Sequence, residues 1–376
     1  MRLILPNTQG GNVTVSTETD VNKLLNSIEL PGIGHTIGDV GRIIEVQASD
    51  RVIEAQIEFG FPAQSRHDEF RSHIAAVVTA ETGCDNVNLE LSTRVVAHGV
   101  QRNLKPLPNV RNIIAIASGK GGVGKSTVAV NVALALADDG ASVGLLDADI
   151  YGPSQPHMVG LAGKQPESED GKTMRPLAAH GLQVMSIGFL IDADQPMIWR
   201  GPMVTSALQQ LLHQTTWQDL DYLIIDMPPG TGDIQLTLSQ QVPVSGAVIV
   251  TTPQNIATLD ARKGLAMFRK VAVPVLGVIE NMSTHVCSEC GHEEAIFGDG
   301  GGTQMADDFD VELLGQLPLD ARIGEQTDSG NPTVRAEPDS AAAAAYRLAA
   351  QRMAAAQARQ GRDYSGKFPN IVVEDS

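Results

Sequence analysis

The chain has 376 residues, 42% of them apolar, and a formal net charge of −17. That length suits a large domain plus a smaller one, and the apolar share is enough for a packed core. The negative balance argues against a broad nucleic-acid-binding or anionic-membrane surface, no run approaches the roughly 20 apolar residues that span a bilayer, and three cysteines make no disulfide framework, so a cytoplasmic protein with no membrane or nucleic-acid partner is expected.

In chain order, the first hundred residues read as a small α+β domain. Val21, Leu24, Leu25 and Ile28 recur at helical spacing until Pro31. Ile53, Ala55, Ile57 and Phe59 alternate with Glu54, Gln56 and Glu58, the pattern of a strand with one buried face. Phe70, Ile74, Val77 and Val78 mark a second helix that stops near Gly83, and Val87, Leu89 and Leu91 mark another strand. Lys105-Pro106-Leu107-Pro108-Asn109 is a stiff connector, which divides the chain into 1–104, a linker at 105–110, and a large domain at 111–361.

Beyond the linker, short apolar runs at 113–117, 143–146, 223–225, 247–250 and 275–279 lack alternation. Strands buried on both faces look like this, so the expected fold class is α/β, a mostly parallel sheet flanked by helices. An Ala-rich segment, 340–360, reads as a terminal helix, and 362–376 as an extended tail.

Gly119-Lys120-Gly121-Gly122-Val123-Gly124-Lys125-Ser126 matches G-x-x-x-x-G-K-[ST] between an apolar strand and a helical run beginning at Thr127. Glycines let backbone N–H groups converge on phosphate oxygens, and the helix N-terminus adds its positive end. Lys125 supplies a charge for the β- and γ-phosphates, and the Ser126 hydroxyl can bind Mg²⁺. Asp147 and Asp149 stand at the carboxyl end of one strand and Asp226 at the end of another, where open α/β sheets bind ligands. Asp226 is the natural Mg²⁺-associated carboxylate, with Asp147 beside it as a second. Met227-Pro228-Pro229-Gly230-Thr231-Gly232-Asp233 reads as a γ-phosphate-sensing loop. Any one of these aspartates, taken singly, could also be a helix cap or turn residue.

The extra lysine in Gly119-Lys120-Gly121-Gly122 resembles the deviant-Walker ATPases, a group that includes nitrogenase iron protein, the Min and Par positioning ATPases and the Mrp/ApbC proteins. The resemblance implies that Lys120 reaches the nucleotide of a partner subunit, that Asp149 orients the attacking water, and that Asn281 reads adenine. From the residues alone, Asn281 could equally close a strand.

His285-Val286-Cys287-Ser288-Glu289-Cys290-Gly291-His292 carries a C-x-x-C followed by Gly, a metal-knuckle pattern. A thioredoxin-like pair would open a helix in a small βαβ domain, which this segment does not. Three readings remain: half a zinc site completed by His292, His285 or another chain, two unrelated thiols, or an iron–sulfur cluster. Such clusters usually take four thiolates, and the remaining Cys84 lies far off in the small domain. A twofold dimer presenting Cys287 and Cys290 twice satisfies the count, and Lys120 points to the same dimer.

With both motifs present, residues 110–349 closely resemble Mrp/ApbC iron–sulfur carriers, including Asp149-Ile150-Tyr151-Gly152-Pro153-Ser154, Trp199-Arg200-Gly201-Pro202 and 226–233. The small domain is similar to the PaaD-like assembly domain, but has Leu30-Pro31 where an Asp-Pro is common and Gln64 where a cysteine is common. What the resemblance implies is a homodimeric, slowly hydrolysing ATPase with ATP, Mg²⁺ and a 4Fe–4S cluster bridging two subunits, delivering the cluster to apo iron–sulfur proteins. The competing expectations are a zinc-clamped dimer, a Min/Par-like positioning ATPase, and a redox ATPase like nitrogenase iron protein, whose cysteines are widely separated.

Overall fold

The computed structural model describes residues 17–49, 51–101, 104–168, 170–190, 201–287 and 289–361, and of residues 201 and 202 the backbone alone. The expected tail at 362–376 and the Trp199-Arg200 pair lie outside the described residues. The chain divides into two compact units, residues 1–59 with 66–93, and residues 60–65 with 94–376.

In the first unit, helix Glu18–Ser27 starts where the Thr17 hydroxyl accepts a hydrogen bond from the Asp20 N–H (3.2 Å), and it buries Val21 and Leu25. Strands β1 (Gly41–Ala48), β2 (Ile53–Phe59) and β3 (Val87–Thr93) form one sheet in that order, β1 antiparallel and β3 parallel to β2. β2 keeps the alternation of its sequence, with Ile53, Ala55, Ile57 and Phe59 inward and Glu54 and Gln56 outward. Helix His67–Thr82 covers the inner face with Phe70, Ile74 and Val78, and ends at Gly83, whose left-handed φ of 73° lets its N–H bond the Thr79 carbonyl. β1 has no counterpart among the sequence expectations. A register shift between Ile43 and Glu45 breaks its alternation, and Ile44 is left 47% exposed.

Among the described residues of the second unit the strands are β4 (Val110–Ser118), β5 (Val143–Asp147), β6 (Leu177–Ala179), β7 (Leu182–Ser186), β8 (Leu220–Asp226), β9 (Gly246–Thr251), β10 (Val275–Glu280), β11 (His285–Val286), β12 (Glu293–Glu294) and β13 (Glu312–Gln316). Eight form one sheet in the order β13-β10-β9-β4-β8-β5-β7-β6, parallel except for β6. β4 is central and pairs with β8 on one side and β9 on the other, so the crevice of this doubly wound sheet opens at its carboxyl end. β4, β5, β8, β9 and β10 are buried on both faces almost throughout, which is why they lack alternation in sequence. Helices Lys125–Asp138 and Ala341–Ala358 pack on one another, and their many alanines permit a close approach.

Residues 94–104, expected in the small domain, group with the large unit. Asn112 on β4 holds them: its Oδ1 lies 2.8 Å from His98 Nδ1 and its Nδ2 donates to the Val96 carbonyl (2.9 Å). The Gly99 N–H bonds the Gly361 carbonyl at 2.9 Å, tying the same stretch to the end of the terminal helix.

Candidate functional site

The phosphate loop leaves β4 after Ser118 and turns through Gly122 and Gly124, whose φ values of 82° and 77° are left-handed. Helix Lys125–Asp138 begins with no side-chain cap on its first turn, so its N-terminal N–H groups are not claimed by a capping side chain. Two glycines are set by close contacts. A Cβ on Gly119 would meet the Asp260 backbone at 2.1 Å, and one on Gly124 would meet Asn281 Nδ2 at 2.3 Å. The loop is thus pressed against helix Asn255–Lys270 on one side and against the end of β10 on the other.

Lys125, 6% exposed, ion-pairs with the fully buried Asp226, with Ser126 Oγ at 3.3 Å and Asp149 Oδ2 at 4.0 Å from its ammonium. The other Asp226 oxygen accepts from Gln155 Nε2 (2.9 Å), which also donates to the Ser126 carbonyl (3.0 Å). Asp147 accepts from the backbone N–H of Gln155 (3.0 Å) and of Asp149 (3.1 Å) and from Ser186 Oγ (3.1 Å). Burial, and then the Asp226 carboxylate, still push the Asp147 carboxyl up to about 8. Burial likewise raises Asp149, against the pull of Lys125. A bound divalent cation reverses that logic, since it favours ionised carboxylates.

Lys125, Ser126, Asp147, Asp149 and Asp226 therefore converge. Lys120 is half-buried on the loop, and among the described residues it pairs with no carboxylate. Asn281, 5% exposed, donates from Nδ2 to the Val123 carbonyl at 2.9 Å, so it grips the loop itself. Gln155 was not among the expected site residues. Its signal lay in its place immediately after Ser154, the last residue of the Asp149–Ser154 motif, where a short helix begins.

The cysteine pair sits at the tip of the β11–β12 hairpin. The Cys287 N–H bonds the His292 carbonyl and the Gly291 N–H bonds the Cys287 carbonyl, both at 2.9 Å, and Gly291 takes a φ of 71°. Polar interaction with the Cys290 backbone, then the Glu289 backbone and the Cys290 thiol, draws the Cys287 thiol below its usual value. Among the described residues no third histidine, cysteine or carboxylate groups with the pair. His285 is held 2.9 Å from the Leu319 carbonyl, His292 is exposed, and Cys84 is buried in the other unit. No helix among the described residues is long and apolar enough to cross a membrane.

Comparison with known proteins yields one family and several close relatives. The ParA family profile described as NUBPL iron-transfer P-loop NTPase matches residues 109–354. The iron-sulfur cluster carrier protein of Haemophilus influenzae is 47% identical over 342 residues, 91% of this chain and 92% of its own. That of Escherichia coli strain K12 is 48% identical over 344 residues, 92% of this chain and 93% of its own. The iron-sulfur cluster transfer protein NUBPL of Mus musculus is 52% identical over 256 residues, 68% of this chain and 80% of its own. Among solved structures, the ADP complex of a nucleotide-binding protein from Archaeoglobus fulgidus superposes with a TM-score of 0.53 at 37% identity, covering 59% of this chain and 87% of that one.

Proposed function

Because the chain belongs to the ParA family of NUBPL-type iron-transfer P-loop NTPases, we propose that it is an ATP-hydrolysing carrier that holds a 4Fe–4S cluster across a homodimer and passes it to apo iron–sulfur proteins. The observation that carries this reading is the Cys287–Cys290 knuckle: two free thiols in one glycine-closed turn, and no third ligand from the same chain among the described residues. A cluster needing four thiolates is then completed by a second copy. The relatives' names agree in chemistry, being carriers or transfer proteins of iron–sulfur clusters.

The surface supports the dimer as well. Exposed large apolar side chains of the large unit, Tyr151, Ile256 and Leu259 among them, follow the carboxyl end of a parallel strand or lie in the first two turns of the helix after it. Apolar surface concentrated on one edge marks a contact face. That edge also carries the phosphate loop and the cysteine pair.

In the nucleotide site, Lys125 exchanges Asp226 for the β- and γ-phosphates, Lys120 reaches the partner's nucleotide, and Asp149 orients the attacking water. The loop N–H groups of residues 119–127 hold the phosphates. Asn281 keeps its Oδ1 and second N–H for adenine. Ser126, Asp147 and Asp226 are the oxygen donors that suit Mg²⁺, a hard cation that neutralises phosphate charge. The buried Gln155 Oε1, which accepts no hydrogen bond among the described residues, fits a hydrated cation. Two free, accessible thiols suit the reducing cytoplasm, where we place the protein.

Anaerobic reconstitution with iron and sulfide tests the reading. About four iron and four sulfide per two chains are expected, lost in Cys287→Ala and in Cys290→Ala. Stoichiometric zinc that resists iron, or unchanged iron in either variant, would refute it.

A further inference from the structure

The phosphate loop and the cysteine knuckle are joined by one short, heavily pinned stretch of chain. At its start, the Asn281 carboxamide holds the Val123 carbonyl (2.9 Å) while its backbone N–H bonds the Thr251 carbonyl (2.7 Å). The glycine at 124 is what allows this grip, because a Cβ there would displace the Asn281 amide. Six residues later comes Cys287, within about 20 Å of chain even at full extension.

Between those ends the strap is fastened to the segment leaving β13. Ser283 bonds the Leu317 carbonyl twice, through its N–H (2.9 Å) and its Oγ (3.1 Å). The Leu319 N–H bonds the Thr284 carbonyl (2.7 Å), and His285 Nδ1 stands 2.9 Å from the Leu319 carbonyl. The next two residues, His285 and Val286, form β11 and lead directly into the knuckle. Only Met282 lies between the loop grip and the first of these fasteners, and it takes a φ of 56°. A left-handed backbone at a residue with a side chain is strained, and such strain persists where neighbouring contacts impose it.

We infer that Asn281 is a positioning residue that transmits the nucleotide state of the phosphate loop to the Cys287–Cys290 pair through the 281–287 strap. Phosphate binding requires the loop N–H groups to turn inward, and the peptide that follows Val123 carries the carbonyl Asn281 holds. A displacement there is passed along a strap whose pins leave it little slack, and it arrives at the turn that carries the two cysteines. This route does not pass through the γ-phosphate-sensing loop that follows Asp226. Its purpose rests on the carrier reading, since only a metal-holding pair gives the transmitted shift a use.

Peptide-resolved alkylation of Cys287 and Cys290 in the full-length apoprotein reads the coupling without any cluster. In the unsubstituted protein, saturating non-hydrolysable ATP analogue with magnesium should change their alkylation rate by about fivefold or more. In Asn281→Asp, which keeps the shape but replaces the donor with an acceptor, the ratio should collapse to near one at analogue concentrations shown to saturate the site. A second variant, with two glycines inserted between Met282 and Ser283, alters neither the phosphate loop nor the cysteines and should show the same collapse. It also decides the question if the first variant cannot be saturated. No nucleotide effect in the unsubstituted protein, or the full effect retained in the insertion variant, overturns the inference. Iron reconstitution judges the carrier reading separately, so the failure of one is not mistaken for failure of the other.

Discussion

The buried pair of Lys125 and Asp226 makes a strong demand on the nucleotide-free protein, and Lys125→Met exposes it. Lys125 is 6% exposed and Asp226 fully buried, with the equally buried Asp147 close enough to feel its charge. Met keeps the length and packing of the lysine stem, so the change removes little but the cation. Replacing a whole buried ion pair by neutral groups is often neutral, whereas removing one partner strands a buried charge at a cost of about 3–5 kcal/mol. For a unit this large, that corresponds to a fall of about 6–10 °C in melting temperature. Lys125→Met/Asp226→Asn, which removes the stranded charge and keeps an oxygen for Gln155, should recover most of the loss. Neither variant should be stabilised by ATP, because both lack the phosphate-binding ammonium. The assay is thermal unfolding at pH 8 in chelator, with and without nucleotide. A single variant that melts with the unsubstituted protein, or a double variant no more stable than the single, would show that Lys125 does not compensate Asp226.

Two further outcomes follow from the same site. Asp147 has its folded pKa raised to about 8, so its stabilising contribution is complete below the unfolded value of about 4 and is lost as pH rises towards 8. The nucleotide-free protein should therefore weaken between those limits, and Asp147→Asn should flatten that slope in melting curves collected across the range; identical slopes would refute the assignment. Gly124→Ala places a Cβ 2.3 Å from Asn281 Nδ2 at a φ of 77°. With about 1–2 kcal/mol of left-handed strain added to the lost Asn281 bond, nucleotide-induced thermal stabilisation should disappear while far-ultraviolet dichroism is unchanged.

Much of the large unit was readable because its determinants are local. A strand buried on both faces writes itself as a continuous apolar run, and the phosphate loop must keep its glycines, lysine and serine within eight positions. β13 escaped because Glu312 and Gln316 bracket only a short apolar run, and β1 escaped because its bulge exposes Ile44. The division between the units falls ahead of the Pro-rich stretch for a related reason: that stretch marks stiffness, whereas the Asn112 bonds that recruit residues 96–98 leave no compositional trace.

The contacts that unite the site are the ones least visible in sequence. Gln155 reaches Asp226 across 71 positions, and Asn281 reaches Val123 across 158. A carboxamide has no spacing rule comparable to that of a phosphate loop, so only the fold distinguishes one that closes a strand from one that grips a loop. The cysteine pair sets a different limit. Its two residues and its glycine were plain, yet half of its proposed ligand set belongs to another copy of the chain, where no within-chain pattern can record it. What remains legible is the deficit itself. An accessible pair of thiols in one glycine-closed turn, with no third ligand grouped beside it among the described residues, is what the proposed completion by a second copy requires.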